Sequence, residues 1–139
     1  MIRSIGLLAV AAFVGTLHAA LAEGNLAKRA TRLVPLQLDA AQGFSQTNYE
    51  LETGTYYRWR VISDGREEYK LLAPELFRNS WIDQVSIDDK EIKPTGLYAV
   101  EFDSDGKMDI WFLPIRPGKY RFYVEGLESQ GFDGTILVR

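Results

Sequence analysis

The sequence predicts an all-β protein, a Greek-key β-sandwich of seven or eight strands. Three observations predict it. Apolar residues recur with a period of two, turn-forming Gly, Pro, Asp and Asn punctuate the chain at short intervals, and no amphipathic helical pattern extends beyond a few turns. With 139 residues, 25% charged and 46% hydrophobic, the chain has the composition of one ordinary globular domain.

Residues 1–22, "MIRSIGLLAVAAFVGTLHAALA", place a positive charge at Arg3, an apolar run from Ile5 to Leu17 and a small-x-small site at Ala20-Leu21-Ala22. This pattern predicts a secretory signal peptide cleaved before Glu23, and so a periplasmic location. An uncleaved membrane anchor is the alternative, but Gly6, Gly15, Thr16 and His18 weaken an apolar run already short for spanning a bilayer. Residues 23–42 form an N-terminal segment, and residues 43–139 the body of the sandwich.

Residues 32–38 supply the first strand, with Val34, Leu36 and Leu38 on one face. Asn48–Glu52 leads through Thr53-Gly54 into Tyr56–Ile62, a half-buried hairpin in which Tyr57, Trp59 and Val61 alternate with Tyr56, Arg58 and Arg60. Tyr69–Ala73 is the next strand. Pro74–Arg78 begins with proline and predicts one short helical turn. Val85–Ile87, Leu97–Phe102 and Met108–Leu113 follow, the last two joined by Asp103-Ser104-Asp105-Gly106, a hairpin signal. Lys119–Glu125 and Gly134–Arg139 close the chain. From this alternation Tyr98, Val100, Phe102, Ile110, Phe112, Tyr120, Phe122 and Ile136 are expected to face inward.

Net charge excludes some functions. The chain carries a formal charge of −3, and removing residues 1–22 takes away a further arginine, so no uniformly basic face for nucleic acid is expected. There is no cysteine, and the single histidine is His18 in the apolar leader. Triads and Cys-His dyads therefore lack their members, no phosphate loop or paired-carboxylate motif stands out, and no enzyme is expected. Hard oxygen donors exist in Asp64, Glu67, Glu68 and Glu125, with Met108 as a thioether, but they are read as solvated surface charge rather than a specific metal site. Asp-Ser-Asp-Gly also opens like a calcium loop, but the downstream ligands of that motif do not follow.

From about Gly43 onward the chain resembles a cupredoxin, the small blue-copper fold. The resemblance rests on "YELETGTYYRWRVISDG", on "YKLLAPELF" and above all on "PGKYRFYVEGLESQGFDGTILV". It implies copper ligands in the closing segment in the order Cys, two residues, His, four residues, Met, with one further His upstream. Val124, Leu127 and Phe132 stand at the three closing positions, and Tyr69 at the upstream one. Two imidazoles, a thiolate and a weak axial sulfur make a blue-copper centre. None stands at these four positions, so no cofactor is expected, and the closing loop is expected to hold an apolar plug.

Two functions follow from the resemblance and the residues. One is a periplasmic interaction or accessory module that binds another periplasmic protein, with Arg58, Arg60, Trp111, Arg121 and Tyr123 as its candidate surface, because exposed Trp, Tyr and Arg favour interfaces. Packing of Trp111 and Tyr123 across strands is the alternative role for those rings. The other is a metal-binding or electron-transfer protein that uses non-standard or partner-supplied ligands.

Overall fold

The computed structural model describes residues 27–139. The expected signal peptide and its cleavage site lie outside the described residues. Among the described residues the elements run β1 Thr31–Arg32, β2 Leu36–Asp39, β3 Gly43–Phe44, β4 Asn48–Leu51, β5 Tyr57–Asp64, β6 Tyr69–Leu72, α1 Pro74–Arg78, β7 Ser80–Ile87, β8 Lys90–Ile92, β9 Ala99–Phe102, β10 Asp105–Pro114, β11 Gly118–Val124 and β12 Asp133–Val138. Twelve strands stand where seven or eight were expected. Three of the additions, β1, β3 and β8, are two or three residues long, too short for alternation to register.

The strands form two sheets. One has the order β3-β2-β5-β10-β7-β8, with β1 also paired to β5; the other is β4-β12-β11-β6-β9. Both are mixed, since β1 and β2 run parallel to β5 and β4 runs parallel to β12. The first strand is split. Leu33–Pro35 leaves the ladder between β1 and β2, where Pro35 has no N–H to donate, and Val34 is 61% exposed while Leu36 and Leu38 are buried.

Two expected hairpins are sheet crossings instead. The Thr53-Gly54 turn leads from β4 in one sheet to β5 in the other, and Asp103–Ser104 links β9 to β10 across the same gap. A glycine turn between alternating strands looks the same from the sequence in either case, because both strands bury one face in the shared core. Strand β7 begins five residues earlier than expected. A register shift opposite Trp111 and Phe112 breaks its alternation, so "SWIDQV" carries no clean period-two signal.

Between the sheets lies an aromatic core with Phe122 at its centre. Its ring stacks on Phe44 at 5.0 Å, meets Trp59 edge-on at 5.5 Å and tilts against Tyr49 at 5.8 Å. Val100, Phe102, Ile110, Phe112, Tyr120 and Ile136 are also buried, as the alternation predicts. Tyr98 is not. At 60% exposure it precedes β9, which begins at Ala99, so the pleat that turns Val100 and Phe102 inward does not reach it.

Gly134 makes room for this arrangement. It pairs with Phe122 across β11 and β12, and a Cβ on it would stand 2.2 Å from Phe122 Cζ. Phe122→Ala is expected to cost about 3–5 kcal/mol by opening a cavity. Gly134→Ala is expected to cost about 1–3 kcal/mol by overpacking, and less in a Phe122→Leu background, where the ring that it strikes is gone. Urea denaturation midpoints measure both, and a Gly134→Ala midpoint equal to wild type would refute the packing.

Candidate functional site

The closing loop sits at the end of the sandwich where β5 and β11 finish and β6 and β12 begin. Its backbone is pinned at several points. Leu127 N donates to Val124 O at 3.1 Å, Gln130 N to Leu127 O at 2.9 Å, and Val124 N to Phe132 O at 3.1 Å, which seals the loop base. A single 3-10 turn, Glu128–Gln130, ends at Gly131, whose φ of 89° favours glycine. From there Gly131 O accepts from Phe44 N at 3.0 Å, and a Cβ on Gly43 would lie 2.6 Å from that same oxygen. The loop is thereby fastened to β3.

Three of the four positions singled out by the resemblance are fully enclosed. Tyr69, Val124 and Phe132 are 0%, 0% and 1% exposed, and the half-buried Leu127 packs against the same core. The Tyr69 and Phe132 rings lie 5.3 Å apart, and Phe44 meets Phe132 edge-on at 5.4 Å. Tyr69 joins the group because β6 pairs with β11 at Leu71–Val124, two residues further along. Phenyl, isopropyl and isobutyl groups offer no lone pair, and a phenol is no substitute for imidazole or thiolate at a soft copper site. The residues present do not fit a blue-copper centre.

Tyr69 has another partner. Its hydroxyl donates to Asp64 Oδ1 at 2.8 Å, and the same carboxylate accepts from Ala40 N and Arg66 N, both at 3.0 Å. Burial is the strongest influence on Asp64 and opposes ionisation, but these donors with the Arg66 charge outweigh it and hold the carboxyl below its ordinary value. Burial first, then the Asp64 hydrogen bond and charge, push the Tyr69 hydroxyl upward, so it stays a donor at neutral pH. Among the other acids considered from sequence, Glu125 pairs with Lys70 at 3.0 Å, and only Glu68 enters a carboxylate group, with Glu101 and Asp103. All three are exposed. Met108 is half-buried against the core.

The expected interaction surface divides between two faces. Arg58 and Arg60 on β5 and Trp111 on β10 lie on the outer side of one sheet; Arg121 and Tyr123 on β11 lie on the outer side of the other. The sequence puts them all on outward positions, but only the pairing of strands shows that β5 and β11 belong to different sheets. On the first face the Arg58 guanidinium sits 5.0 Å from the Trp111 ring centre. On the second, Arg121 lies 4.2 Å over Tyr123 and binds Asp133 with two nitrogens at 2.8 and 3.1 Å.

The residue that alternation alone misses is Asp109. It points outward and yet is 5% exposed, because Arg58 covers it at 2.6 Å and Arg60 grips it with two bonds at 2.9 Å. The signal lies in the register: β10 places Asp109 opposite Arg60 and Trp111 opposite Arg58. Burial, the largest influence on Asp109, raises its pKa, but the hydrogen bonds and charges of Arg60 and Arg58 together lower it below the ordinary 3.8. A carboxyl depressed in the folded state stabilises the fold above its unfolded pKa, and that contribution is lost as pH falls through the folded value. Stability should therefore decline below about pH 4. Asp109→Asn should flatten part of that decline and cost about 1–3 kcal/mol at neutral pH, where the arginines lose their counter-charge. Thermal melts from pH 7 to pH 2 measure this, and parallel curves for both proteins would refute the assignment.

No family model matches the sequence, and no curated protein matches it. Its structural likenesses are clear. A multi-copper oxidase from Pseudomonas thermotolerans superposes with a TM-score of 0.61 at 15% identity over 84% of this chain and 31% of that one. The multicopper oxidase of Campylobacter jejuni gives 0.56 at 10% identity, and this chain spans 30% of its length. Auracyanin B, a protein of similar size, gives 0.54 at 16% identity, covering 81% of this chain and 91% of its own. The chain therefore has the cupredoxin fold, in a sequence without the cysteine that a blue-copper centre requires.

Proposed function

We propose that this is an exported cupredoxin-like domain that works without a blue-copper centre, as a non-catalytic interaction or accessory module that binds another protein in the periplasm. The observation that carries this reading is the filled end of the sandwich, where Tyr69, Val124 and Phe132 are sealed in the core and Leu127 packs against it. Apolar side chains at those positions remove the buried, unsatisfied donors that an empty metal site would leave, each costing about 1–3 kcal/mol. Export rests on the sequence of residues 1–22; no helix among the described residues is long and apolar enough to cross a membrane.

Binding is the chemistry left to such a scaffold. A rigid two-sheet framework holds Arg58, Arg60 and Trp111 in fixed positions on one outer face, the residue types that anchor interfaces. Titration of the purified protein with Cu(II), and with Cu(I) under reducing conditions, is expected to give no stoichiometric high-affinity complex. Replacing Tyr69→His, Val124→Cys, Leu127→His and Phe132→Met is expected to create one with thiolate-to-copper colour. A tight one-to-one copper complex of the unaltered protein would overturn the reading. In the native host, Trp111→Ala, which leaves the bonds of Arg58 and Arg60 to Asp109 in place, is expected to reduce capture of a partner while the domain stays folded.

A further inference from the structure

The break between β1 and β2 does more than interrupt a strand. Leu33 N still donates to Arg58 O at 3.0 Å and Tyr49 Oη donates to Val34 O at 3.0 Å, so the detour is held in place rather than loose. Beside it lies an open groove of about 240 Å³, lined by Arg32, Leu33, Pro35, Arg58 and Arg60. That is below the roughly 300–1,000 Å³ of pockets for drug-sized ligands, and suits one side chain.

The groove is cationic within an acidic protein. Lys28, Arg29 and Arg32 follow one another within five residues, all exposed, and none of them takes part in an ion pair among the described residues. Of these three, Arg32 lines the groove together with Arg58 and Arg60, and Asp109 is the shared counter-charge of the last two, so one carboxylate stands against three lining cations. Stacking on Trp111 fixes the plane of Arg58, and the two-point grip of Asp109 fixes Arg60, which remains about a third exposed along its side chain. Arg58 Nε is buried with no hydrogen-bond partner. Asp109 already takes the Nε and Nη2 edge of Arg60, which leaves Nη1 of that held guanidinium, beside the unpaired Arg32 whose fork can bind a carboxylate with two parallel hydrogen bonds. The apolar walls of Leu33 and Pro35 suit the methylenes of an acidic side chain.

We propose that this groove is the docking point for an acidic segment of a partner protein, with one glutamate or aspartate carboxylate seated between Arg32 and Arg60. The proposal rests on the interaction-module reading and names the chemistry of its partner. Charge complementarity selects the partner: the cations left over after Asp109 attract a chain of like-signed carboxylates and steer its approach.

The probe is a capped hexaglutamate peptide titrated into the isotope-labelled protein and followed by NMR, with capped hexaglutamine and free glutarate as comparisons. Hexaglutamate is expected to shift the Trp111 indole and Arg60 side-chain signals, to bind more weakly as salt rises, and to bind more tightly than glutarate or hexaglutamine. Arg32→Gln, at an exposed position outside the Asp109 pair, is expected to weaken binding about fivefold. Lys119→Gln, on the other sheet, is expected to leave it unchanged.

Equal affinity of Arg32→Gln and the unaltered protein would overturn the proposal, as would absence of hexaglutamate binding. Glutarate binding as tightly as the peptide would overturn the protein source of the carboxylate. Preferential binding to phosphatidylglycerol vesicles, or Arg32-dependent self-association at the concentrations used, would assign the groove to another occupant. None of these results bears on copper, so a failed groove leaves the metal-free reading standing, and a copper complex would sink that reading without touching the groove.

Discussion

The sandwich depends on the contact between Phe122 and the bare backbone of Gly134. A ring that lies against the neighbouring strand, with no Cβ beneath it, lets Phe44, Tyr49 and Trp59 gather around one centre from both sheets. Aromatic pairs prefer such tilted and edge-on contacts, and three rings meeting at one residue fix the separation and the lateral offset of the sheets together. The mixed topology follows the same centre: Tyr49 arrives on β4, parallel to β12, and Trp59 on β5, parallel to β2.

The closing loop is an extension of this core. Phe44 touches both Phe122 and Phe132, so the packing that holds the sheets also fills the space under the loop, and Tyr69 continues the chain of rings to Asp64. Backbone bonds from Val124 and Phe44 then fix the loop's two ends. Buried apolar area and a phenol-carboxylate hydrogen bond hold the loop here.

The outer faces obey a different rule. Charged groups there are held by one another: Asp109 by Arg58 and Arg60, Asp133 by Arg121, with Arg58 and Arg121 also lying against an aromatic ring. The Asp109 group differs from the Asp133 pair in burial. Around Asp109 the guanidiniums are positioned by a carboxylate that water barely reaches, whereas Asp133 is about half exposed, and the break at Pro35 leaves an opening beside Arg58 and Arg60.

The all-β class, the inward rows of β5, β10 and β11, the short helix at Pro74 and the lack of cysteine were legible along the chain, because period-two alternation, a proline at a helix start and residue chemistry are local properties. Tyr98 and Val34 escaped this reading because alternation does not show where a strand stops. The folded arrangement was needed to see that the turns at Gly54 and after Asp103 cross between sheets, since a crossing and a hairpin use the same residues. It alone decided that Arg121 and Tyr123 stand on the far side from Arg58, Arg60 and Trp111, and that Asp109 is buried while pointing outward. Each of these depends on which distant strand lies alongside, and strand pairing is set by the packing of the whole core rather than by any stretch of the chain.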